Sequence, residues 1–149
     1  MDDSNYFSRF PSFQTANSAL AIAEFDRLAC QMNWRQGSKK YNRERARFLA
    51  SQFDAHFGTD ATKLENWQAL CAEVKTQSPT KSISQCRKAL AKTHVNLVDL
   101  VDSRRTGKNV KHFPSPKALR EYTLNTRKIF PKSAAKKDGF LKALLRVIF

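Results

Sequence analysis

Residues 82–101, SISQCRKALAKTHVNLVDLV, constrain the fold more than any other part of the chain. Ile83, Cys86 and Leu90 recur at helical spacing and would face a core, while Lys81, Gln85, Lys88 and Lys92 recur on another side, toward water or a partner. Asn96 then introduces Leu97, Val98, Leu100 and Val101, the apolar pair–skip–pair of a second, deeply buried helix. The fold is expected to pack around these two helices.

The rest of the chain is read outward from that pair. With 149 residues and 41% hydrophobic content, one domain with its own core is expected. Four glycines and five prolines are too few for a many-stranded sandwich or barrel and suit helices joined by short connections. The expected fold is therefore all-α: a single compact bundle of six to seven helices over residues 15–149, preceded by an aromatic arm over 1–14. In that arm Tyr6, Phe7, Phe10 and Phe13 surround Pro11. Four rings are costly to leave in water, so the arm is expected to lie over the helical body as a lid; an exposed docking motif is the alternative.

Capping signals set the other helices. Asn17 or Ser18 starts one that ends near Met32, with Ile22, Phe25, Ala29 and Met32 as its stripe, Leu28 beside it and Trp34 plugging the core after it. Ser38 and Gly58 bracket the next, whose seam is Leu49, Phe53 and Phe57 with Tyr41 and Phe48 alongside. Thr59 or Asp60 caps a third that reaches Thr76 through Leu64, Trp67, Leu70, Cys71 and Val74. Ser82 and Gln85 form a capping box for the helix ending near Thr93 or His94, and Asn96 and Gly107 bracket the following one. Ser115 with Pro116 opens a sixth, with Leu119, Tyr122 and Ile129 on its inner face and Pro131 at its end. A last amphipathic helix is expected from Ser133, with Leu141, Leu144, Leu145 and Ile148 as its stripe.

Charge carries the functional signal. The net charge is +14, and its distribution is lopsided: residues 1–80 hold 10 Lys and Arg against 9 Asp and Glu, residues 81–149 hold 17 against 4. Such a field attracts polyanions, nucleic acid first, and could equally be a solvated face that keeps the chain soluble. The stretch 60–94 has the order of a helix-turn-helix, with residues 77–81 as the turn and the following helix as the reader. Lys81, Ser84, Gln85, Lys88 and Lys92 are then the residues expected to reach phosphates and base edges. Arg104, Arg105, Lys108 and Lys111, in a basic run around Gly107, would hold the backbone together with the positive residues of the sixth and seventh helices. Lys39, Lys40 and Arg43 form a second patch at a helix start, where a phosphate would relieve an unfavourable macrodipole contact. The expected partner is thus DNA or RNA.

Other chemistries find little footing. His56, His94 and His112 are scattered, there is no phosphate-binding glycine loop or nucleophile elbow, and no metal or cofactor is implied. Asp99 and Asp102 lie three apart on one predicted helix, but no second element completes a carboxylate site. Catalysis is not expected. Cys30, Cys71 and Cys86, an odd number without a CxxC pair, read as reduced core residues. The first ten residues lack the apolar run of a signal peptide, and no stretch has the length of a membrane span, so a nuclear or cytoplasmic protein is expected. A protein-interaction module, using the aromatic arm or the apolar C-terminus, is the competing functional class.

Four runs taken together, EFDRLAC…W..GSKKY…R, NWQALC.EV, SISQCRKAL….VNLVDLVD and YT…KIFPK..AK..GFLKALLR, resemble a family of small, uncharacterised fungal helical proteins across residues 6–149. The resemblance implies an intracellular fungal protein, in which the interaction reading becomes a scaffold role in a fungal complex. It brings no catalytic or binding residues with it.

Overall fold

The computed structural model describes residues 4–16 and 19–131. Helix α6 (Leu97–Thr106) lies at the centre, packed on both α2 (Ala21–Gln31) and α3 (Lys39–Phe57). Helix α4 (Leu64–Glu73) joins α3 to α5 (Ile83–Ala91); a single turn, α1 (Ser4–Phe7), lies on α3, and α7 (Pro116–Thr126) follows α6. The described residues contain no strand, so the all-α bundle is the observed architecture. The expected cap at Asn17 or Ser18 and the helix expected after Ser133 lie outside the described residues.

The apolar pairs of α6 are buried as their spacing requires: Leu97, Val98, Leu100 and Val101 all lie in the core. Asn96 opens the helix by accepting from the Asp99 amide (3.1 Å), and Gly107 closes it at φ 77°, a left-handed conformation that glycine adopts without strain. The Asn96 side chain also donates to Thr123 Oγ1 (3.1 Å) and to the Lys128 carbonyl (2.9 Å), tying the far end of α7 to the start of α6.

The aromatic arm is a lid. Tyr6, Phe7, Phe10 and Phe13 are buried, with Tyr6 and Phe7 each 5.4 Å from the Phe48 ring and Phe10 5.6 Å from Trp34. These rings belong to the core and leave no exposed aromatic docking motif in the arm. Trp34 is only partly buried; it lies between Phe10 and Phe25, with Lys40 Nζ 5.5 Å from its ring centre.

Three expected boundaries move, each for a local reason. Helix α2 starts at Ala21 behind Leu20, which offers no capping side chain; the Ala21 amide instead donates to Asp102 Oδ1 on α6 (2.7 Å). Helix α4 starts at Leu64 because the Asp60 carboxylate is occupied by the Thr62 amide (2.9 Å) and hydroxyl (2.6 Å) in a local turn. Helix α4 also ends early, at Glu73, so residues 74–82 connect it to α5. That connection is longer than the three or four residues of a helix-turn-helix.

Some expected core positions face water. Met32 is 39% exposed because α2 has ended and the chain reverses at Asn33, φ 61°. Ile129 is 48% exposed because Arg127, φ 57°, turns the chain after α7, and Phe130 is buried in its place. Cys30 is exposed, whereas Cys71 and Cys86 are buried, with the Cys71 thiol directed at the Cys86 carbonyl (3.8 Å). Burial and the neighbouring Cys86 push the Cys71 thiol up to about 12, so it stays protonated.

Candidate nucleic-acid interface

Helix α5 carries one strongly cationic face. Cys86, Ala89 and Leu90 are buried, while Ser84, Arg87, Lys88 and Lys92 are exposed, with Lys81 exposed at the approach. No acidic residue stands anywhere between Glu73 and Asp99 in the sequence. None of Lys81, Arg87, Lys88 and Lys92 forms an ion pair among the described residues. Ser82 caps the helix through the Gln85 amide (3.1 Å), and Gln85 Oε1 accepts from the Lys81 amide (2.8 Å). Gln85 therefore serves the helix start, leaving the lysines and Ser84 as the outward groups, while the Arg87 guanidinium lies over the Trp67 ring of α4 (5.3 Å).

A chain of contacts extends this face. Beyond α5, the Phe113 amide donates to the His94 carbonyl (2.9 Å), so residues 107–113 run back along α6 from its C-terminal end. Exposed Lys108 lies at the start of that run and Lys111 near its end. Lys111 Nζ is 5.2 Å from the Phe113 ring centre and 5.9 Å from that of Tyr122 on α7. The Tyr122 hydroxyl donates to Asp99 (2.6 Å), and Lys128 Nζ reaches Asp99 (2.8 Å) and the Tyr122 oxygen (3.0 Å). Burial alone would lower the Lys128 ammonium, but hydrogen bonds to Asp99 and Tyr122 raise it above the usual lysine range. Arg45 on α3 then donates to the Ile129 carbonyl (2.8 Å). The 107–113 run thus joins His94, beyond α5, to Tyr122 and Lys128 near the end of α7. Arg45, whose guanidinium burial holds below the usual arginine range, ties α3 to the same end through the Ile129 carbonyl. Half-buried Asp99 neutralises Lys128 within the series, and exposed Glu121 precedes Tyr122 on α7.

Not every expected site residue joins this band. Arg105 does not belong to the surface: it is 9% exposed and its guanidinium holds backbone carbonyls and Gln52 in the interior, because adjacent helix positions point about 100° apart and only Arg104 faces out. Arg104 is exposed beside Glu73 (3.5 Å) and over Phe57 (5.9 Å), at the other end of α6 from Asp99. At the start of α3, Lys40 is drawn to Glu44 (3.6 Å). Exposed Lys39 and Arg43 lie one turn apart on the solvent side, and Arg43 is about 200° around the helix from Arg45. The patch at Lys39, Lys40 and Arg43 is therefore separate from the band.

The residues singled out from the sequence do not include Arg87, and the sequence puts Arg45 with the patch at the start of α3 and Lys128 with the basic end of α7 without joining the two. Arg87 was visible in the acid-free run; Lys128 and Arg45 enter only through tertiary contacts. Asp99 and Asp102 do not form a paired-carboxylate site, since Asp99 serves Tyr122 and Lys128 while Asp102 serves the start of α2. Among the described residues no group of three or more His, Cys, Asp or Glu is placed to hold a metal, and no helix is long and apolar enough to cross a membrane. No protein-family model, curated protein or solved structure matches the chain.

Proposed function

We propose that the protein binds the phosphate backbone of DNA or RNA through the cationic band, in the nucleus or cytoplasm, and that its role is binding without catalysis. The observation that carries this reading is the outward face of α5: Lys81, Lys88 and Lys92 recur on one side of the helix and its approach, with no acid among them and no ion pair within the described residues. Structural lysines in helical proteins are commonly interleaved with carboxylates along a helix face; these are not. The long 74–82 connection argues for backbone contact through a helix side rather than a helix-turn-helix reading head.

A second reading, a protein-interaction or scaffold module of an intracellular fungal complex, draws on Leu124, 60% exposed on α7, and on the neighbouring exposed Ile129. It loses the aromatic arm, whose rings are buried. A mobility shift with generic DNA and RNA separates the two. If six to ten cations meet phosphate, affinity falls about 10³–10⁵-fold between roughly 50 and 200 mM salt. Absence of any shift at the lower salt, with protein free of 260 nm-absorbing material on purification, rejects nucleic-acid binding.

A further inference from the structure

The chain contains Ser-Pro twice, at Ser78-Pro79 and Ser115-Pro116, and the structure treats the two differently. Ser115 caps α7: its hydroxyl accepts from the Ala118 amide (3.1 Å), and Pro116 is the first residue of the helix. A kinase needs an extended acceptor segment, and here the backbone turns into a helix directly after the serine. Position +3 from Ser115 is Ala118.

Ser78 has none of these ties. It lies in the 74–82 connection, outside any helix, is partly exposed, and makes no hydrogen bond among the described residues. Pro79 follows and is exposed; it disfavours the helical region for Ser78, where the chain bends outside any helix. Exposed Lys81 stands at +3, completing Ser-Pro-x-Lys, the arrangement that cyclin-dependent proline-directed kinases select. The flanks are pinned, since Gln68 Nε2 donates to the Thr80 carbonyl (2.8 Å) and the Thr76 amide to Cys71 (3.1 Å). The acceptor is thus presented at a fixed place on the surface.

We propose that Ser78 is a phosphorylation site for a proline-directed kinase, and that the phosphate weakens the cationic face of α5. In the step, Ser78 Oγ attacks the γ-phosphorus of ATP held by the kinase. The new Oγ–P bond forms as the bond to the ADP leaving oxygen breaks, and the hydroxyl proton passes to the kinase's base. The product carries about −1.5 to −2 charge at neutral pH. It enters a stretch that otherwise holds only cations, with Lys75 and Lys81 each three residues away. The effect on binding rests on the nucleic-acid reading; the phosphorylation does not.

The full folded chain is incubated with a cyclin-dependent kinase and ATP, and phosphate is mapped by mass spectrometry for wild type, Ser78→Ala and Ser115→Ala. The expected result is one phosphate on Ser78, lost in Ser78→Ala and kept in Ser115→Ala. No phosphate on Ser78, phosphate on Ser115 to an equal extent, or acceptance only after heat unfolding overturns the assignment. Phosphorylated protein should then bind DNA or RNA with a log–log salt slope smaller by about 1–2. An unchanged slope, in preparations whose unmodified protein binds, overturns the charge effect alone. Failure of the unmodified protein to bind counts against the functional reading and leaves the mapping result standing.

Discussion

Arg105→Met is expected to destabilise the protein by roughly 1.5–3 kcal/mol in denaturant unfolding, the range for hydrogen bonds made by a charged group. The guanidinium donates through Nε to the Ala19 carbonyl (2.6 Å), through Nη2 to the Ala16 carbonyl (3.0 Å) and through Nη1 to Gln52 Oε1 (2.8 Å). Methionine fills much of the volume but satisfies none of these acceptors; the Gln52 oxygen is buried and the two carbonyls part-buried, so the desolvation cost falls mainly on Gln52. It also removes a cation that favours the charged form of Asp102, a carboxyl that burial already pushes up. Since Asp102 holds the first amide of α2, faster hydrogen exchange at Ala21 should accompany the lost stability. Arg105→Lys should recover little, because an ammonium cannot reproduce a planar fork reaching three acceptors. A lysine variant as stable as wild type contradicts this account.

Glu44→Ala is expected to cost about 1.5–3 kcal/mol and to loosen the arm. The Glu44 carboxylate is buried on α3, where it accepts from the Tyr6 hydroxyl (2.9 Å) and from Arg9 (2.8 Å), with Arg47 at 3.3 Å and Lys40 at 3.6 Å. The cations left behind are exposed enough to hydrate, which keeps the cost below that of orphaning a fully buried charge. Burial pushes the Glu44 carboxyl up, but hydrogen bonds from Arg9 and Tyr6 and the charges of Arg9 and Arg47 outweigh it and hold the group below the usual carboxylate range. A folded-state value below the unfolded one means that the contribution is present above the unfolded value, about 4.3, and is lost as pH falls through the folded value. Wild type should therefore lose stability relative to Glu44→Gln as pH drops below about 4.3. Parallel acid profiles for the two proteins contradict the latch.

Where one residue could act on its own neighbours, the sequence already showed the outcome. Ser38, Ser82, Asn96 and Ser115 each accept from the amide three residues on, and Gly58 and Gly107 take the positive φ that ends a helix. The apolar seams of α3, α4 and α6 needed only helical period. The boundaries that moved depend on competition. Asp60 had a nearer donor in Thr62, and the start of α2 is capped by Asp102, a residue 81 positions away in the chain. The site divides in the same way. The α5 stripe follows from spacing, whereas composition cannot separate Arg104 from Arg105, one facing water and the other the core. Nor can it place Lys128 and Arg45, which meet the band through Asp99 and the Ile129 carbonyl.

The most direct test compares two charge reversals of equal size in DNA- or RNA-binding titrations across salt. Lys88, Lys92 and Lys111 changed to Glu alter the band; Arg35, Lys39 and Arg43 changed to Glu alter exposed cations at the start of α3. The band variant should lose about 2–3 from the log–log salt slope with a large drop in affinity, while the α3 variant keeps a near wild-type slope. Equal losses from both variants, or the larger loss from the α3 set, would show that net charge and not this surface governs binding.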